Sequence, residues 1–481
     1  MQKSIKRNFI YNLMFQIVTL CLPLITVPYT SRVLGRNGIG IYSYTLSITQ
    51  YFIIIGTLGM SIYGNRAIAY VRDNKKELSK TFWEILILRL ITTICALLIY
   101  LILFGFKSEN RNIYLIQSLN IVAAAIDISW LYMGLEDFKK TVTRGLIVKI
   151  LCVLSIFIFV KGCNDLWIYT LINALMLVLG NAFMWIYLPK AVNKTKVTFK
   201  GMRVHLIPTL QMFIPQIAIQ VYAVLDKTML GILATKGDVG IYEQSQKMVK
   251  ITGGLVTSLG VVMLPRMSNT FINGDIKKMN EYLNKSLIFV SYMSIPMFIG
   301  LAGISIEFVP WFFGDDFLQV RYIMMILTPI LFFISVNNVL GVQYLLPTNR
   351  IKEYTLAVSI GAIINVILNF ILIPKYAVLG SCIATILAEL GVPLVEIFIL
   401  RKNLNIKYIL KNIFKYFFAS IIMFIVVRII GKQMGVGIIT TLVQACIGGI
   451  TYLIILVVLN DVFTKEIINS IINGIKIRIK Y

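Results

Sequence analysis

Fourteen stretches of roughly twenty apolar residues, parted by short polar breaks, leave this chain few ways to fold. They lie at about 9–31, 39–63, 83–105, 112–134, 143–160, 166–188, 205–233, 239–265, 284–306, 320–345, 354–373, 378–400, 412–431 and 437–459. A bilayer core of about 30 Å needs about 20 apolar residues per helix. Lipid offers backbone amides no partner, so only helices and closed barrels span it. These stretches are continuously apolar and lack the alternation of barrel strands, so the expected fold is all-α and polytopic, with 14 transmembrane helices. Composition agrees: 14% of the 481 residues are charged and the mean hydropathy is +0.83, against about 25% charged in a soluble domain.

The formal charge of +25, from 46 Lys and Arg against 21 Asp and Glu, has to be located before it is interpreted. A nucleic-acid binder gathers cations on a domain or an arm. Here no polar stretch is long enough to fold alone, so no nucleic-acid partner is expected. With the N-terminus in the cytoplasm, the inner segments carry 31 of the cations and the outer loops 8. That bias is the positive-inside pattern. It places both termini in the cytoplasm and makes anionic membrane lipids a partner. Lys3, Lys6 and Arg7 precede a stretch that is long for a signal peptide and contains Pro23 and Pro28, so 9–31 reads as a retained first span. Six scattered cysteines and one histidine, His205, give neither a disulfide framework nor a metal cluster. His205 is expected to pack or to sit at an interface. In the tail 460–481, isoleucines from Ile467 to Ile479 fall at helical spacing among Lys476, Arg478 and Lys480, the pattern of an amphipathic helix on the inner leaflet. The outer loops are too short to hold an enzyme's acceptor and base, so no catalytic residue is expected.

Two halves echo one another. Span one ends Leu34-Gly35 and the next begins Gly40-Ile41-Tyr42, while span seven ends Leu230-Gly231 and the next begins Gly240-Ile241-Tyr242. Span one carries Pro23 and Pro28, span seven Pro208 and Pro215, and both are expected to bend there. Six spans separate the copies, so the halves share orientation, about an axis along the membrane normal. The expected organisation is an N-terminal lobe over 1–188 (spans 1–6), a cytoplasmic linker 189–204, a C-terminal lobe over 205–400 (spans 7–12), spans 13 and 14 over 401–459, and the tail.

Four motifs in order carry a resemblance. They are Pro28-Tyr29-Thr30-Ser31-Arg32-Val33-Leu34-Gly35 with Gly38-x-Gly40-x-Tyr42, then Asp127-x-Ser129-Trp130-x-x-x-Gly134-x-Glu136-Asp137-Phe138-Lys139, then Asp226-Lys227-x-Met229-Leu230-Gly231, and Gly341-Val342-Gln343-Tyr344-Leu345-Leu346-Pro347. Over essentially its whole length the chain resembles the polysaccharide transporters that flip lipid-linked oligosaccharides. They belong to a superfamily that includes drug and cation antiporters and lipid II flippases. The resemblance implies two pseudo-symmetric six-helix lobes in a V around a central cavity, lined largely by spans 1, 2, 7 and 8, plus two extra C-terminal helices. It also implies a bacterial plasma-membrane protein that moves an undecaprenyl-pyrophosphate-linked oligosaccharide by alternating access and works beside polymerase and other polysaccharide-assembly proteins. No cofactor is implied.

Charges inside the spans carry the site hypothesis. A charge at the bilayer centre costs about 2.5–3.5 kcal/mol even on insertion scales, so such residues face a wet cavity or a partner. Arg32, Arg89, Lys149, Lys227, Lys247 and Lys250 are candidates to meet the pyrophosphate, Arg through two-pronged contact and Lys as a point charge. Lys247 and Lys250 share a helix face. The alternative for each is a local ion pair: Arg89 or Lys149 with Asp127, Lys227 with Asp226 or Glu243. Asp127, Asp226, Glu243 and Glu389 are the candidates for gating or for coupling to a proton or sodium gradient. Trp130, Tyr132 and Phe138 read as an interfacial aromatic belt or as a sugar platform. Two rivals stand beside the flippase: an antiporter, which favours an acidic aromatic cavity, and a membrane-embedded glycan polymerase or ligase, which the short outer loops disfavour.

Overall fold

The computed structural model describes residues 2–106 and 109–466, and within them every side chain except those of 2–17, 20, 214–216, 218, 219, 221–223, 257–262 and 265. The amphipathic pattern over 467–481 and the ring of Pro215 lie outside the described set. The chain divides into two compact units, Met1–Gly240 and Ile241–Tyr481. Among the described residues there is no strand.

The first unit holds α1 (Gln2–Thr57), α2 (Met60–Val71), α3 (Lys75–Phe104), α4 (Arg111–Ala125), α5 (Ser129–Gly134), α6 (Phe138–Phe159), α7 (Leu166–Met184), α8 (Leu188–Ala191) and α9 (Phe199–Leu233). Helix α10 (Lys236–Ile272) starts at its edge and runs into the second unit. There follow α11 (Ile276–Phe313), α12 (Val320–Leu327), α13 (Ile330–Asn337), a π-helical segment (Asn338–Leu345), α14 (Ile351–Tyr376), α15 (Val378–Leu400), α16 (Ile406–Met434) and α17 (Ile438–Val458). Eleven segments of the described residues are long and apolar enough to cross a bilayer. The first of them, Cys21–Val71, takes in the two expected spans at its start, while α9 and α10 supply two more helices of 35 and 37 residues. Every one of the fourteen expected spans therefore has its helical counterpart.

Local chemistry sets where these helices begin. Asn74 accepts from the amides of Lys76 and Glu77 at the head of α3, Thr198 from Gly201 at α9, Asp275 from Lys278 at α11 and Asn405 from Tyr408 at α16. Each takes up donors that a helix start leaves orphaned. Asp127 accepts from the Ser129 amide at 2.9 Å and so breaks span four into α4 and α5. The break inside α1 falls at Gly35 (φ 65, ψ 176) rather than at Pro23 or Pro28. A left-handed φ costs glycine nothing, so the turn between spans one and two is made there, while both prolines stay within the helix. The segment 192–198 is strapped to α3, where Trp83 donates to the Asn193 carbonyl at 3.0 Å and the Asn193 amide to Ser79 Oγ at 2.9 Å.

The aromatic motif in span four belongs to the core. Trp130 and Tyr132 are fully buried; Trp130 stacks on Phe82 with centroids 5.4 Å apart and Tyr132 donates to the Met184 carbonyl at 2.9 Å. Neither is an interfacial belt or a sugar platform, because both rings are used up joining α5 to α3 and α7. In the second unit α16 and α17 pack on α11 around Tyr292, Tyr416 and Tyr452. There Arg428 donates to the buried Glu307 at 2.7 Å and Gln444 to the same oxygen at 3.2 Å, so the half-buried guanidinium and the amide together hold the carboxylate.

Candidate transport site

In the first unit the echoed motifs meet. A Cβ placed on Gly40 would stand 1.6 Å from the Lys236 carbonyl oxygen, and one placed on Gly240 would stand 2.2 Å from that of Arg36. Residues 36 and 40 thus face 236 and 240 reciprocally. The Lys236 ammonium caps the end of α9 by donating to the Gly231 carbonyl and lies 3.3 Å from the centroid of the Tyr44 ring. Burial lowers the pKa of this amine, and the charge of Glu109 works the other way. Beside the crossing, Thr228 of α9 is held by Ser47 at 2.9 Å and Tyr51 at 3.0 Å, both from α1. The neighbouring Asp226 is buried and Lys227 half-buried.

The candidate cations of this unit divide by environment. Arg89 is 2% exposed and bracketed: it donates to the Ala124 carbonyl at 2.8 Å and to Ser61 at 3.1 Å, with Asp127 at 3.6 Å. It ties α3 to α4 and α2. Lys149 is half-buried and donates to Thr19 at 2.6 Å, joining α6 to α1, not to Asp127. Arg32 is exposed, its guanidinium 3.5 Å from the Pro28 carbonyl. Outside the membrane the Gly134-to-Lys139 motif is pinned by Arg72 and Glu136 at 2.7 Å and by Lys140 and Asp137 at 2.8 Å. The hydrogen bond that Arg72 donates to Glu136, with the charge of that carboxylate, raises the Arg72 pKa.

Sequence reasoning missed a third bracket. His205 Nδ1 lies 2.7 Å from the Tyr63 hydroxyl and its Nε2 3.1 Å from Glu84, which ties α9 to α2 and α3. His205 is packed, as expected. The available signal was a single histidine and a single acid at matching ends of spans seven and three.

In the second unit a ladder runs along one face of α10. Lys250 donates to Gln246 Oε1 at 3.0 Å, Gln246 to the Tyr242 hydroxyl at 3.2 Å, and Tyr242 shares a 2.9 Å hydrogen bond with Thr385 of α15. Members recur every four residues, one helical turn. The Lys250 ammonium at its end is exposed, with Lys247, Glu243 and Glu389 half-buried. Chemically the ladder holds a primary ammonium at fixed height inside a span, suited to an anionic oxygen. An apolar groove of about 610 Å³ lies in the same unit, with Met293, Pro296, Gly300, Gly448 and Tyr452 in its wall. Among the described residues no cluster of His, Cys, Asp and Glu could hold a metal ion.

A family model described as "Polysaccharide biosynthesis protein" matches residues 5–271, more than half of the chain. The chain belongs to this family. A protein of Escherichia coli K12 named "Putative O-antigen transporter" is 25% identical over 406 residues, 83% of this chain and 97% of that one. The "Lipid II flippase MurJ" of Bacillus subtilis is 25% identical over 223 residues, 43% of this chain and 41% of that one. Among solved structures, lipid II flippase MurJ in an inward closed conformation superposes with a TM-score of 0.75 at 21% identity, covering 96% of this chain and 99% of that one. A multidrug transporter of the wider superfamily gives 0.61 at 13% identity, covering 81% and 96%. The likeness read from the four motifs therefore holds: the chain is a multi-pass membrane transporter of the polysaccharide transporter group, and its relatives are transporters and flippases rather than enzymes.

Proposed function

We propose that this protein flips an undecaprenyl-pyrophosphate-linked oligosaccharide from the inner to the outer leaflet of a bacterial plasma membrane, for the synthesis of a cell-surface polysaccharide. One observation carries the reading: a relative named as an O-antigen transporter aligns along 97% of its own length. The chemistry supports it. Two phosphate charges cannot cross hydrocarbon unaided, and each unit brings cations that could meet them: Lys247 and Lys250 on α10 in the second, Arg32 and Lys227 in the first. The apolar groove beside α17 suits an isoprenoid chain. Alternating access delivers the head group while the lipid tail stays in the bilayer, and no bond is made or broken. The positive-inside bias supports cytoplasmic termini. Assembly enzymes such as the polymerase are the expected neighbours.

Energy input falls to the carboxylates. Asp127, Asp226, Glu243 and Glu389 are the candidates to exchange a proton or sodium ion, and Asp127 is also engaged with Arg89 and the Ser129 amide. Proteoliposomes holding the purified protein and a fluorescent lipid-linked oligosaccharide test the whole proposal. The lipid should change leaflet without changing length, and a gradient of one of the two ions should accelerate it. Chain extension would reveal a polymerase. Dye efflux without lipid movement would reveal the antiporter, a reading that rests on likeness of fold alone.

A further inference from the structure

Glu396 of α15 belongs to none of the brackets described above. It is fully buried, and neither of its carboxylate oxygens has a hydrogen-bond partner. Its surroundings are the edge of the Tyr354 ring on α14 and the bare Cα of Gly341: a Cβ placed on Gly341 would lie 2.5 Å from Tyr354 Cε2 and 2.6 Å from Glu396 Oε1. Gly341 sits within the π-helical segment Asn338–Leu345, and stretches of this geometry recur at functional sites because they hold a local, reversible mismatch in the helix ladder. Two further buried oxygens without partners, Asn337 Oδ1 and Gln343 Oε1, flank the same turn.

Among the described residues this carboxylate has no ion pair or hydrogen bond. The elements packed against α15 include α12, α13, the π-helical segment and α14, and α10 reaches it through the hydrogen bond between Tyr242 and Thr385. Their titratable groups are Arg321 and Tyr322 on α12, Tyr344 on the π-helical segment, which donates to Asn280, Lys352, Glu353, Tyr354, Lys375 and Tyr376 on α14, and Tyr242, Glu243, Lys247 and Lys250 on the stretch of α10 that meets Thr385. Glu353 pairs with Arg350, Lys352 and Lys375 are exposed, and Tyr354 is neutral. On α15 itself Glu389 lies two turns away, and Arg401 follows the end of the helix. A bare carboxylate in such a place is prohibitive. A sodium ion would need several oxygen ligands drawn together, whereas the nearest groups shown against Glu396 Oε1 are the Tyr354 ring edge and Gly341, and neither Asn337 Oδ1 nor Gln343 Oε1 is hydrogen-bonded to its carboxyl. We propose that Glu396 is a proton-binding site, charged only when the π-helical turn opens it to water, and that its loading and release couple transport to the proton gradient. The step is the transfer of one proton to one carboxylate, with no other bond changed. This inference rests on the transport reading above and adds a residue to it.

Infrared difference spectroscopy of the purified, reconstituted protein between acid and alkaline buffer reads the site without transport. The expected result is a protonated-carboxyl band in the wild type that is missing from Glu396→Gln. In proteoliposomes, Glu396→Gln should lose at least tenfold of the pH-gradient-driven rate and its accompanying proton uptake, while exchange without a gradient stays within about threefold. If Glu396→Gln fails to fold, Glu396→Asp decides: band and pH profile should both shift. An unchanged band, or full gradient-driven transport in either variant, overturns the proposal. A wild type that shows the band but moves no lipid-linked oligosaccharide sinks the flippase reading and leaves the proton site standing.

Discussion

A cation inside an apolar span is tolerable in two ways, and Arg89 and Lys250 take one each. Arg89 is enclosed by a carbonyl, a hydroxyl and a carboxylate, so its charge is spent on joining helices. Lys250 donates to Gln246 from an exposed position on α10, so its charge is not enclosed as that of Arg89 is. Arg89→Leu strips Asp127 and the Ala124 carbonyl of their donor, and loss of one member of a buried polar set costs about 2–4 kcal/mol. The expected outcome is a clear fall in the melting temperature of the detergent-purified protein, largely restored when Asp127→Asn is added. Lys250→Ala should leave that temperature within a degree or two and slow flipping at least fivefold; equal melting losses in the two variants would refute the distinction. Position in the sequence gives the depth of each residue, because a helix rises 1.5 Å per residue, and the fold places Arg89 within one of the eleven apolar segments and Lys250 within the long helix α10. Azimuth is what the sequence withholds. Whether a side chain points at a neighbouring helix or away from it depends on packing among helices hundreds of residues apart, and for the same reason Glu84 and Glu307 gave no sign of their partners.

At the scale of elements, the 200-residue echo between Gly40-Ile41-Tyr42 and Gly240-Ile241-Tyr242 was legible, and its consequence was not. Matching short motifs shows that two helices are built alike; only the fold shows that Gly40 and Gly240 lie against the carbonyls of Lys236 and Arg36. Ordinary contact distances leave no room for a methyl group at 1.6 or 2.2 Å, so α1 and α10 would have to separate. Gly40→Ala and Gly240→Ala should therefore each cut the yield of monodisperse protein several-fold, and by similar amounts because the contact is reciprocal. Gly38→Ala, whose added carbon meets the Leu34 Cβ at 3.2 Å, is the control from the same motif and should come close to wild type. Size-exclusion profiles of fluorescent fusions give the comparison, and Gly40→Ala behaving like Gly38→Ala would deny the crossing. The expected bend at Pro23 and Pro28 shows the limit of element-level reading. Proline weakens a helix wherever it stands, but the chain turns where a left-handed φ is cheapest, at Gly35.

For the molecule as a whole, parity of the spans is the strongest claim, because one miscounted helix inverts everything beyond it. The native cysteines provide a test. Cys163 is exposed in the short segment between α6 and α7, which the count places outside. Cys21, Cys95 and Cys446 are also exposed but lie within apolar spans, and a maleimide reacts with thiolate in water, so cysteines facing lipid stay silent. A membrane-impermeant maleimide added to intact spheroplasts should label the protein, and Cys163→Ser should abolish that labelling. Lys194→Cys, introduced into Cys163→Ser on the far side of α7, should react only after the membrane is permeabilised. The two sites are separated by one crossing, so labelling of both from the same side would mean that α7 does not traverse. Labelling with the sides exchanged would instead keep the fourteen helices and reverse the orientation, and the positive-inside bias of 31 against 8 would then have been misread.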